Sequence, residues 1–259
     1  MSDTSEPRLV DVRRDGEVCA LTLRREAKLN ALSVALEREL KHALASEEVR
    51  SSACVVLTGS DRAFSAGADV NELRDRSPES VLAYYRETGD VYECVAALPQ
   101  PTLSAIAGYC LGGGLELALA TDFRIADEAA TFGLPEVSIG ILPSSGGTHR
   151  LTRLLGPGRA KELTLLRPRL DAREALAVGL VTEVVPAGTA LRRALELAHR
   201  LAELPPLAVA LTKQAIDAMP ESSREAGIVI ERLAYGLLAQ TQAARDASAR
   251  FADRHRSDG

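Results

Sequence analysis

Apolar runs typical of strands alternate with helical patterns along the first part of the chain. Residues 9–13 and 18–23 are β-type runs, and the Asp15-Gly16 pair between them is typical of hairpin turns. Residues 33–45 have apolar positions at helical spacing behind Ser33, a residue type that caps helix N-termini. Residues 53–57 form a continuous apolar run that predicts a buried strand. This alternation predicts an α/β fold.

The middle of the chain repeats the order of strand, loop and helix. The pattern predicts strands at residues 102–107, 123–126, 130–132 and 180–185. It also predicts a polar helical region over residues 78–97, a turn over 108–114 and a helix over 115–120. Because ligands tend to bind at the ends of strands in such folds, the small-residue loops there are candidate binding sites.

The last third of the chain is predicted to be mainly helical. Asp171 and Glu174 have capping-box spacing, and Gly179 is well placed to end the helix that they begin. Further helices are predicted over residues 189–204, 207–219, 222–239 and 241–254. These helices carry Ala and Leu on more than one face, which indicates packing against something besides their own domain.

Composition and charge narrow the classes of function. A length of 259 residues, 46% hydrophobic and 26% charged, fits one large soluble α/β domain or one domain with an appendage. The net charge of -5 and the lack of a long basic run argue against a nucleic-acid partner. The polar, acidic first residues resemble neither a secretory signal nor a transit peptide, and no apolar run approaches the roughly 20 residues that cross a bilayer.

The cysteines and histidines form no disulfide or metal pattern. The four cysteines are scattered singly without C-x-x-C spacing, which favours reduced, buried thiols in a cytoplasmic protein. The four histidines lie far apart, so a histidine-based metal site has little support.

Two small-residue loops between a strand and a helix are candidate oxyanion-binding elements. One spans residues 60–69 and the other is the triple glycine at 112–114. Each can present an unpaired backbone N–H at a helix start, and two converging N–H groups stabilise negative charge on a carbonyl oxygen. Losing one such donor typically costs ~2.7–4 kcal/mol in the transition state. A plain strand-to-helix connection is the alternative for the first loop. A phosphate site is the alternative for the second, although no P-loop pattern is present.

Two glutamates near the glycine turn are candidate acid–base groups. Glu116 interrupts an apolar helical run, and Glu136 follows a strand and a proline. A pair of positioned carboxylates can hold a water, deprotonate it and deliver a proton elsewhere. Each one alone could instead be structural, Glu116 on a helix surface and Glu136 in an ion pair. Ser144, Ser145 and His149 lack the G-x-S-x-G spacing of a nucleophile, and Ser145 or a neighbour is expected to cap the following helix.

Together these motifs resemble the enoyl-CoA hydratase/isomerase (crotonase) superfamily over roughly residues 10–254. The motifs that carry the resemblance are LNAL at 29–32, AFSAGAD at 63–69, GYCLGGGLELALATD at 108–122, FGLPEVSIGILP at 132–143, SGGTHRL at 145–151 and DAREALAVGLVTEVV at 171–185. The resemblance implies a spiral of ββα units followed by C-terminal helices that build a trimer, with two trimers commonly stacked as a hexamer. Residues 1–200 are then expected to form the core with the acyl-CoA site, and residues 201–259 the C-terminal helical trimerisation region.

The resemblance also implies roles for individual residues. It places the two oxyanion-hole amides on Ala66 and Gly113, and the two glutamates of the hydratases on Glu116 and Glu136. An acyl-CoA thioester is the implied substrate, and no separate cofactor or metal is implied. The residues expected to contact the CoA moiety are Lys28, Ala66, Gly67, Ala68, Asp69, Gly113 and, from a neighbouring subunit, Arg254.

Because both glutamates are present, the implied activity is the reversible hydration of a 2-enoyl-CoA to a 3-hydroxyacyl-CoA. A Δ3-Δ2 enoyl-CoA isomerase, a methylglutaconyl-CoA hydratase and a non-catalytic acyl-CoA-binding protein are the alternatives. Ser144, Ser145, His149 and the stretch that begins at Arg167 depart from the usual family pattern. These departures bear on the identity of the acyl group more than on the class of reaction.

Overall fold

Two β-sheets form the framework of the chain. The computed structural model describes residues 8–73, 77–166 and 169–247. Its strands are β1 Val10–Asp15, β2 Val18–Leu23, β3 Cys54–Thr58, β4 Ala63–Ser65, β5 Thr102–Ile106, β6 Tyr109–Leu111, β7 Phe123–Asp127, β8 Thr131–Gly133, β9 Leu170–Asp171 and β10 Glu183–Val185.

The helices connect these strands and dominate the end of the chain. The α-helices are α1 Val34–Leu44, α2 Glu47–Arg50, α3 Val70–Leu73, α4 Pro78–Glu87, α5 Val91–Ala96, α6 Gly113–Leu119, α7 Gly147–Lys161, α8 Ala172–Ala177, α9 Ala190–Ala202, α10 Pro206–Ala218 and α11 Arg224–Leu238. Residues 242–247 are also helical. Short 3-10 turns occur at Glu26–Lys28, Glu136–Ile139 and Met219–Glu221, and a π-helical segment follows α7 at Glu162–Leu166.

The central strands of the larger sheet are buried on both faces. Its strand order is β1-β2-β3-β5-β7-β10, with an antiparallel β1–β2 hairpin and parallel pairing elsewhere. Every residue of β3 and β5 is buried. Alternate side chains explain this burial, because Val56 packs towards Ala194 of α9 while Leu57 belongs to the apolar cluster that includes Leu40 of α1. The predicted α/β fold is confirmed, as is the hairpin.

The smaller sheet brings the small-residue loops together. Its order is β4-β6-β8-β9, and β4, β6 and β8 run parallel. The carboxyl ends of these three strands therefore lie at one edge of the sheet. The loop of residues 66–69 follows β4, Gly112 follows β6, and the turn that contains Glu136 follows β8. This parallel pairing therefore brings the three segments of the candidate site to one edge of the smaller sheet.

Two predictions for the middle of the chain are wrong. Residues 109–111 form strand β6 rather than part of a turn, because they pair with β4 and β8 through the backbone. The predicted helix over residues 78–97 is two helices, α4 and α5, separated by Thr88, Gly89 and Asp90. A side chain on Gly89 would lie within 2.8 Å of the rings of Tyr84 and Tyr85, so the chain turns tightly there.

The capping predictions for two helices are confirmed. The Ser33 side chain accepts a hydrogen bond from Leu36 N at the start of α1. Asp171 and Glu174 form a reciprocal capping box at the start of α8. All four cysteines are free thiols. Among the helices in the described residues, none is long and apolar enough to cross a membrane.

Candidate active site

The loop after β4 is held in place by the LNAL segment. Asn30 is fully buried with a φ of 52°, and its side chain donates to Ala63 O and accepts from Arg25 N. The two segments also share a parallel bridge in which Leu32 N donates to Gly67 O and Asp69 N donates to Leu32 O. The loop is therefore fixed by backbone pairing before any ligand binds.

This pairing corrects the assignment of the first oxyanion-hole amide. Ala66 N donates to Leu29 O at 2.9 Å, so the prediction that Ala66 offers a free N–H is wrong. Ala68 is the bridge residue between the two hydrogen bonds to Leu32, and its N–H points away from that partner. Within the described residues Ala68 N has no hydrogen-bond acceptor. The free N–H of this loop is that of Ala68.

The second amide, that of Gly113, lies beside Ala68. A Cβ placed on Gly113 would lie 3.4 Å from Ala68 N, and one placed on Gly67 would lie 3.5 Å from Gly113 N. Gly113 is the first residue of α6, where N–H groups lack an intrahelical acceptor. Two unpaired amides thus meet at the start of one helix. This is the geometry that binds a developing oxyanion.

The triple glycine is required by close contacts on both of its sides. Gly112 has a φ of 52°, and a Cβ on it would lie 3.0 Å from Glu136 Oε1. A Cβ on Gly114 would lie 2.4 Å from Ser65 O, so α6 packs directly against β4. The turn is therefore shaped by these contacts, and nothing in it suggests the phosphate cradle considered from the sequence.

Glu116 is a buried carboxylate anchored by backbone amides. It is 3% exposed, and its Oε1 accepts from Ser145 N at 2.7 Å and Gly147 N at 2.9 Å. Gly147 is the first residue of α7, and its N-cap, Gly146, makes no side-chain cap. Glu116 thus caps α7 from another helix. The prediction that Ser145 or a neighbour caps α7 holds only for position, because the N-cap residue is Gly146, which has no side chain to accept a hydrogen bond. Glu116 Oε2 accepts no hydrogen bond from the described residues, which leaves it free for a ligand or water.

Glu136 lies on the other side of the glycine turn. It is 9% exposed and begins the 3-10 turn after β8. Its Oε2 is buried and has no hydrogen-bond partner among the described residues. No ion pair to Glu136 occurs there either, so the structural alternative of an arginine partner is not supported. An unsatisfied buried carboxylate oxygen is unusual and is typical of a functional group.

The two carboxylates have different electrostatic environments. Burial raises the pKa of Glu136 to about 7, and the nearby Glu116 charge contributes to the rise. Burial also raises the pKa of Glu116, but the amides of Gly147 and Ser145 and the Arg150 guanidinium oppose that effect. At neutral pH Glu136 can therefore carry a proton, whereas at Glu116 the two amides and Arg150 partly offset the effect of burial on the anion. Such a difference separates an acid from a base.

Two of the residues predicted to contact CoA, Lys28 and Asp69, lie near each other at the loop after β4. Asp69 is held by Arg25 Nη1 at 2.8 Å, and this pair lowers the pKa of Asp69, with a smaller contribution from Lys28. Lys28 is exposed at the end of a 3-10 turn on the same side. Arg254 and Arg167 lie outside the described residues.

Several contacts of the site were not foreseen from the sequence. Tyr85 Oη donates to Ser144 Oγ at 2.6 Å and so joins α4 to the loop before α7. Arg150 donates to Ser145 O and to Glu93. His149 lies 3.6 Å from Glu221 at an exposed position. The one sequence signal for these contacts is the SGGTHRL motif, which contains Arg150. The described residues contain no group of three or more His, Cys, Asp or Glu that could hold a metal ion.

Comparison with known proteins agrees with this geometry. A family model described as enoyl-CoA hydratase/isomerase matches residues 13–258. The chain belongs to the enoyl-CoA hydratase/isomerase family. The expected crotonase fold is confirmed, since a crystal structure of an enoyl-CoA hydratase from Bacillus anthracis superposes with a TM-score of 0.89 at 38% identity, covering 95% of this chain and 97% of that one.

Two named relatives match over nearly their whole length. The short-chain-enoyl-CoA hydratase of Clostridium acetobutylicum is 34% identical over 252 residues, which cover 96% of this chain and 97% of that protein. The 2,3-dehydroadipyl-CoA hydratase of Escherichia coli is 38% identical over 249 residues, covering 95% of this chain and 96% of that protein. The two relatives act on acyl groups that are named differently, so similarity at this level does not specify the acyl chain.

Proposed function

We propose that the chain is a hydro-lyase that reversibly hydrates a 2-enoyl-CoA to a 3-hydroxyacyl-CoA. The observation that carries the proposal is the pair of buried glutamates, one anchored by two amides and one with an unsatisfied oxygen, beside two unpaired backbone N–H groups. Family membership and the hydratase relatives support the same chemistry.

The two amides bind the thioester carbonyl. Ala68 N and Gly113 N donate to its oxygen, which gains negative charge when a nucleophile adds to the conjugated double bond at C3. Polarisation of this carbonyl makes C3 electrophilic and stabilises the enolate that follows. Gly113 keeps its predicted role, while Ala68 replaces Ala66 as its partner.

The glutamates move the protons. Glu116, an anion held through Oε1, orients water with its free Oε2 and takes a proton as the water oxygen bonds to C3. Glu136 donates its proton to C2, which its pKa of about 7 permits near neutral pH. The double bond has then gained H and OH, and the reverse steps dehydrate the product.

The first test assays the wild type and the Glu136→Gln variant with straight-chain enoyl-CoA thioesters of graded length and with branched ones. Loss of the conjugated thioester absorbance should be slowed by about 10²–10⁴-fold in kcat, since general acid catalysis contributes that much, with little change in KM. Wild-type inactivity on every straight and branched enoyl-CoA would overturn the hydratase function and favour the acyl-CoA-binding alternative. Near-normal turnover of the variant would refute the role of Glu136.

The remaining features of the proposal concern CoA binding and assembly. We propose that Lys28 and the loop of Gly67, Ala68 and Asp69 contact the CoA moiety, since they lie beside the free Ala68 amide. We also propose a cytoplasmic enzyme that needs no cofactor beyond the CoA of its substrate.

The C-terminal helices are proposed to build a homotrimer, or a hexamer of two stacked trimers. Large apolar side chains on α10 and α11 are exposed in the single chain, among them Ile216 at 65% and Leu233 at 70%. A cavity of about 1300 Å³ lies between α10 and the helices α5 and α7. The division into a core of residues 1–200 and a helical region of 201–259 agrees with α9 packing on the sheet and α10 beginning just after it.

A further inference from the structure

Arg150 is a charged side chain that is held between two anchors next to the site. Its Nη1 donates to Ser145 O at 3.0 Å, and its Nη2 lies 2.5 Å from Glu93 Oε1. The side chain is only 14% exposed, whereas that of Glu93 is 70% exposed. A Cβ on Gly146 would lie 2.0 Å from Arg150 Nη1, so the guanidinium packs directly on the Gly146 backbone.

These contacts act on the segment that holds Glu116. The two donors to Glu116 Oε1 are Ser145 N and Gly147 N. Between the peptide groups that carry them lies one further peptide group, which joins Ser145 to Gly146. The carbonyl of that middle peptide is the acceptor for Arg150 Nη1. Arg150 N also donates to Gly146 O at 2.8 Å. One residue therefore fixes the orientation of the backbone that orients the carboxylate.

We propose that Arg150, itself held by Glu93, is a positioning residue that fixes the Ser145–Gly147 backbone and through it the carboxylate of Glu116. This inference rests on the proposed hydratase function, because Glu116 must present Oε2 to water at a defined position. Arg150 touches no reacting atom. A misplacement of about 1 Å in a catalytic group can lower a rate by 10²-fold, so the effect should appear in kcat.

The charge of Arg150 adds a second effect. Among the described residues, the charged or titratable groups coupled to Glu116 are Arg150 from α7, together with Glu136 from the turn after β8 and Tyr92 from α5, whose pKa values the Glu116 charge raises. Arg150 lowers the pKa of Glu116, although burial raises it more. Removing the guanidinium should therefore shift the acid limb of the kcat/KM profile, which requires the Glu116 anion, to higher pH.

The matched test compares Arg150→Met and Arg150→Lys with Arg153→Met. Arg153 lies one turn further along α7 and contacts Asp217 O instead of the loop. We expect Arg150→Met to lower kcat by about 10–100-fold with less than about threefold change in KM, and Arg153→Met to stay within about twofold. Arg150→Lys should return the acid limb towards its original pH but leave kcat low, since lysine restores the charge without the forked donor.

Two readouts separate this proposal from its alternatives. Amide hydrogen exchange at Ser145 and Gly147 should accelerate in Arg150→Met relative to Arg153→Met, a measurement that does not depend on turnover. A wild-type enzyme without hydratase activity refutes the proposed function, whatever the exchange rates. An active wild type with unchanged kcat, acid limb and exchange in Arg150→Met refutes the positioning role. A loss of activity that Arg153→Met shares equally would also overturn it.

Discussion

At the scale of single residues, burial gives Glu136 its chemistry and also makes it a source of instability. Its pKa rises from 4.5 to about 7, which means that the folded protein binds this proton more tightly than the unfolded chain. Below about pH 4.5 the side chain is protonated in both states and costs nothing. The cost grows as the pH rises towards 7, where the buried carboxylate ionises.

Glu136→Gln should therefore stabilise the fold at high pH only. Because one pKa unit corresponds to 1.36 kcal/mol, the gain should reach at most about 3 kcal/mol above pH ~7 and vanish below pH ~4.5. Thermal unfolding of both proteins across this range measures the difference in Tm. A Tm difference that did not grow with pH would contradict the raised pKa, even if the variant were inactive.

Gly147 offers a test of the Glu116 anchor from the opposite side. A Cβ there would lie 2.7 Å from Glu116 Oε1 and 2.9 Å from Pro143 Cβ. Gly147→Ala should therefore displace the carboxylate and lower kcat by about 10-fold or more, with about 1–3 kcal/mol of lost stability from overpacking. Kinetic assays and thermal unfolding measure the two effects.

Gly158→Ala is the matched control, since Gly158 lies further along α7, beyond the kink at Gly156, and a Cβ there meets nothing within 4 Å. It should leave kcat unchanged. Equal activity of the two alanine variants would show that the contact between Gly147 and Glu116 does not matter for catalysis.

Both glutamates were candidates from the sequence, whereas Ala66, predicted to offer a free amide, donates to Leu29 O instead. Glu116 was a candidate because it interrupts an apolar run, and Glu136 because it follows a strand and a proline. The choice between Ala66 and Ala68 depends on which amide of the loop faces the 29–32 segment, and that follows from long-range backbone pairing. Arg150 was missed for a related reason, since its acceptor is a backbone carbonyl.

At the scale of elements, the fold was most predictable where the pattern was local. The hairpin of β1 and β2 and the caps of α1 and α8 follow from residues that are close in sequence. Strand β6 was not predicted, because a run of three residues between glycines carries too little periodicity and its pairing with β4 and β8 is non-local. That strand places Gly112 and Gly113 at the site.

The pairing of the 29–32 segment with the loop after β4 depends on Asn30. Asn30→Ala removes one buried and one part-buried hydrogen bond, and it places alanine, which disfavours the left-handed region, at a φ of 52°. We therefore expect a loss of about 2–4 kcal/mol in the free energy of unfolding. Asn30→Gly removes the same hydrogen bonds but tolerates this φ, and it should lose about 1 kcal/mol less. Chemical denaturation measures both differences. Equal stability of the two variants would show that the backbone conformation contributes nothing.

At the scale of the whole molecule, polar contacts in the described part of the chain attach α10 to the core. Lys213 of α10 reaches Asp122 Oδ2 at 2.8 Å, and Asp122 also accepts from Thr102 at the start of β5. The helix α11 exposes Val229, Leu233 and Leu237 at 52%, 70% and 56%, positions that share one helical face. An exposed apolar stripe of this kind is typical of a helix that packs on a partner, which is the basis of the proposed trimer.

Leu233→Glu tests that proposal directly. Burial of a leucine contributes about 1.5–3 kcal/mol, and a charge in its place must either remain unburied or be desolvated at greater cost. Light scattering after size exclusion should therefore give the wild type the mass of a trimer or hexamer and the variant a lower mass. Glu231→Gln, about 200° away around the helix by the 3.6-residue repeat, should leave the mass unchanged. A monomeric wild type would refute the assembly, whereas a loss of mass in both variants would mean that the partner contacts α11 on more than this one face.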